Sequence, residues 1–274
     1  MTSFDRKDID WENCPQRLIT ESDKPDNIFV TDTSDAADFW SSLDTVFSDG
    51  KTNIVVWRGA PKINENIARK ILSGPVRNCN SSVFKLGVHV KAGSGKTSLE
   101  EFRSSLRRSF LIPDHHISEG DVPGYKDMVG KICGIFNSLN ETWPLNDHRA
   151  LLQTNAGLAK TTHVAKFRPH SDGAEHSGHN IVNVELNMCW TLAGAQTVLF
   201  DNSDFDVPDQ VGNIESFSTK KPTLWHAEPG AAVILPVFNT FSRPAVHATP
   251  FHKGYEKPQK RIFIRSRVVL EPDN

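Results

Sequence analysis

The sequence has few of the features that mark membrane, secreted or nucleic-acid-binding proteins. No apolar run approaches the roughly 18 residues of a transmembrane helix, so no membrane partner is expected. The 31 Lys and Arg residues are balanced by 33 Asp and Glu residues, which gives a formal charge of −2. A chain without excess positive charge lacks the electrostatic basis for binding nucleic acid or an anionic membrane surface.

Cysteine is scarce, and its four copies lie far apart at positions 14, 79, 133 and 189. None of them forms a Cys-x-x-Cys pair, and their spacing indicates neither a disulfide framework nor a zinc knuckle. The polar, acidic start of the chain also lacks the apolar stretch of a secretory signal. We therefore expect reduced thiols and a cytoplasmic location.

With 274 residues, 38% of them hydrophobic, the chain can form one large folding unit with a substantial core. Residues 1–35 are polar and are predicted to form a loosely attached arm. Residues 36–152 form a helical and mixed part, because apolar residues recur at helical spacing in 35–47 and in 124–143. Residues 153–274 are rich in short β-type runs and form the predicted catalytic core.

The β-rich region alternates short apolar runs with turns that contain Gly, Pro, Asn and Asp. The predicted strands are THVAKF, NIVNVELNMCW, TVLF, TLWHA, AAVILPV, RPAVHA and KRIFIRSRVVL. Strands at this spacing are typical of a sandwich or barrel rather than of a parallel α/β sheet. The predicted fold class is therefore α+β and β-rich, with N-terminal helices that pack on one sheet.

A candidate metal site stands where the run KFRP ends. His170 and Asp172 follow it two residues apart, so both side chains can turn toward one point. A neutral imidazole and a carboxylate suit a borderline metal such as Fe(II). His247, in a later strand-like run, offers a third ligand, and Arg261 opens the last strong strand.

This order of His-x-Asp, a distal His and a basic residue on the closing strand resembles that of the Fe(II)/2-oxoglutarate-dependent dioxygenases. The resemblance implies a double-stranded β-helix, or jelly-roll, in which His170, Asp172 and His247 bind iron. It also implies that Arg261 binds the distal carboxylate of 2-oxoglutarate, with Arg265 as its substitute. O₂ would be the second co-substrate, and hydroxylation the default outcome.

Polar and apolar residues alternate in two of the predicted strands. In NIVNVELNMCW, the polar residues Asn183, Glu185 and Asn187 are predicted to share one face. If that face lines the barrel, Glu185 could hold an ammonium group while Arg265 holds a carboxylate. The predicted substrate is then a small amino acid or an amino-acid derivative. The alternative is that the polar faces meet solvent, as they do in many antiparallel sheets.

Further histidines compete for roles at this site. His176 and His179 lie in the histidine-rich loop after Asp172, either at the mouth of the site, in contact with substrate, or in solvent. His226 is a rival for the distal ligand, but no basic residue follows it on a strong strand, which favours His247.

Two other function classes remain open. The segment AGSGKTS at 92–98 lies between a predicted strand and a predicted helix, as a P-loop does, and Lys96 would contact a nucleotide. However, Val90 stands where that motif needs glycine, so the turn that wraps a phosphate is missing. The second class is a non-catalytic cupin-like binding module, which would keep the barrel without binding iron.

Overall fold

The computed structural model describes most of the N-terminal third and of the C-terminal half of the chain. The described residues are 3–73, 88–91, 150–172, 175–177, 180–205, 212–236 and 245–270, with isolated positions between 123 and 138. Helices α1 and α2 span Ala36–Phe47 and Glu65–Ser73, and the isolated positions are helical too. In this described part, no helix is both long and apolar enough to cross a membrane.

The remaining regular structure consists of strands. In the N-terminal part these are β1 (Phe4–Asp5), β2 (Gln16–Leu18), β3 (Ile28–Thr31), β4 (Ile54–Trp57) and β5 (Val88–Lys91). They are followed by β6 (Ala150–Lys160), β7 (Thr162–His163), β8 (His170–Ser171), β9 (Glu175–Ser177), β10 (Asn180–Ala193), β11 (Val198–Leu199) and β12 (Gly212–Asn213). The last strands are β13 (Ser216–Phe217), β14 (Leu224–His226), β15 (Ala232–Pro236), β16 (His247–Ala248), β17 (Phe251–His252) and β18 (Lys260–Leu270).

Two sheets dominate the fold. The larger one has the order β3-β4-β15-β10-β18-β6-β5, with β9 paired to β10. The smaller one has the order β12-β8-β16-β11-β14-β2. Val233 and Phe263 of the larger sheet join Leu199 and Trp225 of the smaller sheet in one buried apolar cluster. Burial of this shared surface holds the two sheets together.

The predicted β-rich class with few helices is confirmed. The finer prediction of a jelly-roll stays a prediction, because the sheets are not closed into a barrel in the described residues. The two long strands β10 and β18 pair antiparallel, and Cys189 and Phe263 from them belong to the buried cluster between the sheets.

The interpretation of residues 1–35 as a loosely attached arm is wrong. β1 pairs with β13, β2 extends the smaller sheet, and β3 extends the larger one. Trp11 is buried and packs edge-to-face on Phe167 and Phe217, with ring centroids 5.0 and 5.3 Å apart. The segment is polar in overall composition, but a few buried apolar residues attach it to the two sheets. Exposed residues separate these apolar residues in the sequence, so no amphipathic period predicts their burial.

Helix α1 confirms the helix predicted for 35–47. Its apolar residues Phe39, Trp40 and Leu43 are almost completely buried. Phe39 stacks on Trp57 of β4 with ring centroids 4.0 Å apart, and Trp40 packs edge-on against the same ring. The helix thus covers the larger sheet near its β3–β4 edge, in agreement with the predicted packing.

One predicted strand needs correction, and one long strand was not predicted. The run THVAKF is a strand only at Thr162–His163, and a 3-10 turn at Val164–Lys166 follows it. Conversely, β6 has no apolar alternation in its sequence, yet it pairs with β18 along the whole length of both strands. Its Ala, Gly and Asn residues have low intrinsic strand propensity, so tertiary pairing overrides the local preference.

Candidate metal centre

His170 and His247 meet because two short strands pair. β8 and β16 are antiparallel neighbours in the smaller sheet, and His170 lies directly opposite His247 in their register. Residues that oppose each other in this way have side chains on the same face. The two imidazole rings are accordingly close, with centroids 4.4 Å apart. Asp172, two residues after His170, turns to the same side.

These three residues form a group with the geometry of a metal site. One ligand atom from each of them lies within 4.8 Å of the other two. Nε2 of His247 is 3.3 Å from Oδ2 of Asp172. Two ligands at about 2.1 Å from a metal and at right angles to each other are about 3.0 Å apart. The donor set of two imidazoles and one carboxylate therefore fits a metal such as Fe(II) in spacing and in chemistry.

Both histidines are oriented by backbone carbonyls. The Nδ1–H of His170 donates to the carbonyl oxygen of Arg168 at 3.0 Å, and that of His247 donates to Ala245 at 3.2 Å. This assignment of tautomers leaves the Nε2 lone pairs available to a metal. Burial, followed by the neighbouring His170, lowers the pKa of His247 to about 4, so this imidazole is neutral at physiological pH.

The carboxylate of Asp172 also accepts hydrogen bonds from two side chains of the larger sheet. Nη2 of Arg265 donates to its Oδ1 at 2.8 Å, and Nδ2 of Asn187 donates to its Oδ2. Sequence reasoning assigned Arg265 to a carboxylate of 2-oxoglutarate or substrate, and Asn187 to the substrate. In the structure both side chains contact Asp172 instead, and their ligand-binding roles stay predictions.

A small cavity of about 130 Å³ opens beside the two imidazoles. The residues that line it include His170, His247, Arg261, Arg265, Cys189, Thr197 and Phe263. Arg261, Phe263 and Arg265 reach it from one face of β18, as the alternation of this strand predicts. The cavity therefore joins the candidate metal ligands to the predicted anion-binding arginine.

Arg261 is buried in this cavity and has few polar contacts among the described residues. It is 4% exposed, and among the described residues its guanidinium has no carboxylate partner. Nη1 lies 3.5 Å from Oγ1 of Thr197, Nε has no hydrogen-bond partner in the described structure, and Cζ lies 4.1 Å from the ring centroid of Phe263. Burial lowers the pKa of Arg261 to about 10, which leaves it charged at neutral pH.

His226 lies on the other face of the smaller sheet. On β11, Leu199 pairs with His247, whereas the adjacent Val198 pairs with His226. Because adjacent strand residues point to opposite faces, His226 cannot join the group formed by His247. Burial also lowers the pKa of His226.

The remaining predicted site residues are only partly described. The register of β10 against β18 shifts between Val184 and Leu186. The single face predicted for Asn183, Glu185 and Asn187 stays a prediction. The side chains of Asn183, Glu185 and His176 lie outside the described structure, as do His179 and the segment 92–98.

Sequence reasoning missed Cys189 and Thr197 as cavity residues. Cys189 follows Asn187 by two positions, so the alternation of β10 could have revealed it. Thr197 precedes the two-residue strand β11, and a strand this short has no recognisable period.

No family model and no curated protein sequence matches this chain. Among solved structures, it is similar to a full-length Neurospora crassa protein in complex with alpha-KG, with 8% identity and a TM-score of 0.35 over 86% of this chain and 80% of that one. It is also similar to a protein from Shewanella oneidensis that is provisionally named an oxygenase, with 12% identity and a TM-score of 0.34. That similarity covers 91% of this chain and 90% of the other one. TM-scores this low do not indicate a function for this chain.

Proposed function

We propose that this protein is an Fe(II)/2-oxoglutarate-dependent oxygenase. The observation that carries the proposal is Arg261, a buried cation without a carboxylate partner among the described residues, in one cavity with His170 and His247. A buried charge without a counter-charge is strongly destabilising. A dicarboxylate co-substrate would supply that counter-charge beside a two-histidine, one-carboxylate group.

Each residue of the site has a separate task in this proposal. His170 and His247 would bind the metal through Nε2, and Asp172 through a carboxylate oxygen. When bound, iron and 2-oxoglutarate would supply the activation of O₂. Arg261 would orient the distal carboxylate through its two-pronged guanidinium. The Phe263 ring beneath Arg261 limits the freedom of the guanidinium and excludes water from that side.

The finer part of the proposal is hydroxylation of a small amino acid or an amino-acid derivative. Arg265 and Asn187 are engaged with Asp172, so Glu185 carries the substrate-binding half of this idea, and His176 and His179 are further candidates from the sequence alone. If a Glu185→Ala variant turned over every accepted amino acid at the wild-type rate, this part of the proposal would be wrong.

Succinate release tests the proposed activity. Protein supplied with Fe(II), 2-oxoglutarate and O₂ should release succinate, and should release it faster with an amino acid that is a substrate. Asp172→Ala should reduce the release to the level without protein. Asp32→Ala serves as the control, because it removes an exposed carboxylate that pairs with Arg58.

The two alternatives predict different results in the same assay. A cupin-like binding module would release no succinate from the wild-type protein, which would refute the proposed activity. A nucleotide-binding protein would also release none, but would bind ATP in a manner that Lys96→Ala abolishes.

A further inference from the structure

Asp172, Asn187 and Arg265 form a closed ring of hydrogen bonds, which we call the Asp172 clamp. Arg265 donates from Nη2 to Oδ1 of Asp172 at 2.8 Å and from Nε to Oδ1 of Asn187 at 3.3 Å. Asn187 completes the ring by donating from Nδ2 to Oδ2 of Asp172. Both ends of the Asn187 amide are thus satisfied inside the ring.

The clamp is built into the central strand pair of the larger sheet. In the register of β10 and β18, Cys189 lies opposite Arg265, and Asn187 lies opposite Arg267. Asn187 and Arg265 are therefore diagonal neighbours on one face of the sheet. Asn187 is completely buried, so solvent does not compete for its hydrogen bonds. Two of the three members of the clamp are therefore fixed in position by the pairing of β10 with β18.

This arrangement fixes the rotation of the Asp172 carboxylate. The terminal torsion of an aspartate is broad and nearly two-fold, so an unrestrained carboxylate can present either oxygen or both. Here Oδ1 accepts from Arg265, whereas Oδ2 accepts from Asn187 and also lies 3.3 Å from Nε2 of His247. Oδ2 is therefore the oxygen that is turned toward the imidazole ligands, and the clamp holds it there.

We propose that Asn187 and Arg265 are positioning residues that make Asp172 a one-oxygen metal ligand; the inference rests on the proposed function. Hydrogen-bonding partners of metal ligands orient them and raise the metal affinity. The clamp also explains why β10 places a buried amide between apolar neighbours: Leu186 and Met188 on either side are both almost fully buried.

Co(II) binding tests the clamp without relying on activity, because Co(II) is a redox-stable substitute whose visible absorption reports its coordination. The full-length, metal-free protein would be titrated with Co(II) as wild type, Arg265→Met and Asn187→Ser. Both variants should weaken Co(II) binding by about 10- to 100-fold and change the shape of the visible band. Arg265→Lys keeps the charge but cannot span both partners, so it should restore only part of the affinity.

Arg58→Met is the matched control. Its guanidinium also pairs with an aspartate, Asp32, and its side chain is 22% exposed against 25% for Arg265. This control should bind Co(II) as the wild type does. Should Arg265→Met fail to fold by circular dichroism, Asn187→Ser and Arg265→Lys decide the question.

Two results would overturn the inference, and they are distinguishable. If the wild type binds Co(II) and the clamp variants match it in affinity and spectrum, the clamp has no positioning role while the proposed function stands. If the wild type itself binds no Co(II), the proposed function fails and the inference fails with it.

Discussion

Replacement of Arg261 tests the anion-binding role that the structure suggests. Arg261→Met keeps most of the apolar side-chain volume and removes the guanidinium. Each charge-assisted hydrogen bond contributes about 1.5–3 kcal/mol, so loss of a two-pronged contact should remove about 3–6 kcal/mol of 2-oxoglutarate binding energy. That corresponds to an affinity lower by about 10²- to 10⁴-fold. Arg261→Lys retains the charge without the fork and should lose less.

The assay compares two ligands in anaerobic equilibrium titrations with Mn(II) in place of iron. 2-Oxoglutarate has a distal carboxylate, and 2-oxobutyrate lacks it. The wild type should prefer 2-oxoglutarate, whereas Arg261→Met should bind both compounds with similar, low affinity. If Arg261→Met lowered the affinity for both ligands by the same factor, Arg261 would not bind the distal carboxylate, and the proposed role would be refuted.

The stability of Arg261→Met gives an independent check. Since Arg261 is buried without a carboxylate partner among the described residues, its charge does not stabilise the ligand-free fold. The thermal midpoint of the ligand-free variant should therefore equal or exceed that of the wild type. A large decrease would indicate that a counter-charge for Arg261 already exists in the free protein.

Four further variants test other parts of the fold. Gly194 has a φ of +92°, and an added Cβ would lie 2.8 Å from Cα of Arg261. Gly194→Ala should therefore lower both the thermal midpoint and the 2-oxoglutarate affinity. The control is Gly50→Ala, which has a φ of +66° but open space around the added Cβ and should lower only the thermal midpoint. Burial raises the pKa of Asp204 to about 7, so its contribution to stability is present at low pH and lost as the pH rises through 7. The free energy of unfolding in urea should therefore gain about 1–2 kcal/mol more from Asp204→Asn at about pH 8 than at about pH 5. Equal gains at the two pH values would contradict this. Asn53 is buried between two asparagine side chains, so Asn53→Ala should reduce the free energy of unfolding in urea by about 1–3 kcal/mol, and an unchanged value would show that this network is not stabilising.

The candidate metal residues could be predicted because they are encoded locally. His170 and Asp172 stand two positions apart after an extended run, and the chemistry of imidazole and carboxylate is visible in the sequence. The choice of His247 over His226 had a weaker basis, namely the basic strand that follows His247. What separates these two histidines is a one-residue offset in the register of β11, which no sequence pattern reveals.

The role of Arg265 could not be predicted for a similar reason. Its contact with Asp172 depends on the register of β18 against β10, and that register contains shifts at two places. The alternation of polar residues correctly placed Arg261 and Arg265 on the cavity side of β18. In β10 the same alternation stays a prediction, because the side chains of Asn183 and Glu185 lie outside the described residues.

The fold was predictable where amphipathic periods are long, and not where elements are short. Helix α1 and the long strands β10 and β18 follow their sequence patterns. The strands β1 and β2 have only two and three residues, and no residue of either is buried. They are defined by hydrogen bonds to β13 and β14, so their existence depends on tertiary contacts alone.

The central claim, that His170, Asp172 and His247 hold iron together with 2-oxoglutarate, is tested most directly by anaerobic spectroscopy. Metal-free protein would be titrated with Fe(II) and 2-oxoglutarate while the weak visible charge-transfer band of the chelate is recorded. The band should appear with the wild type and with His226→Ala, and should be lost with His247→Ala. Absence of the band in the wild type, or its persistence in His247→Ala, would contradict the account.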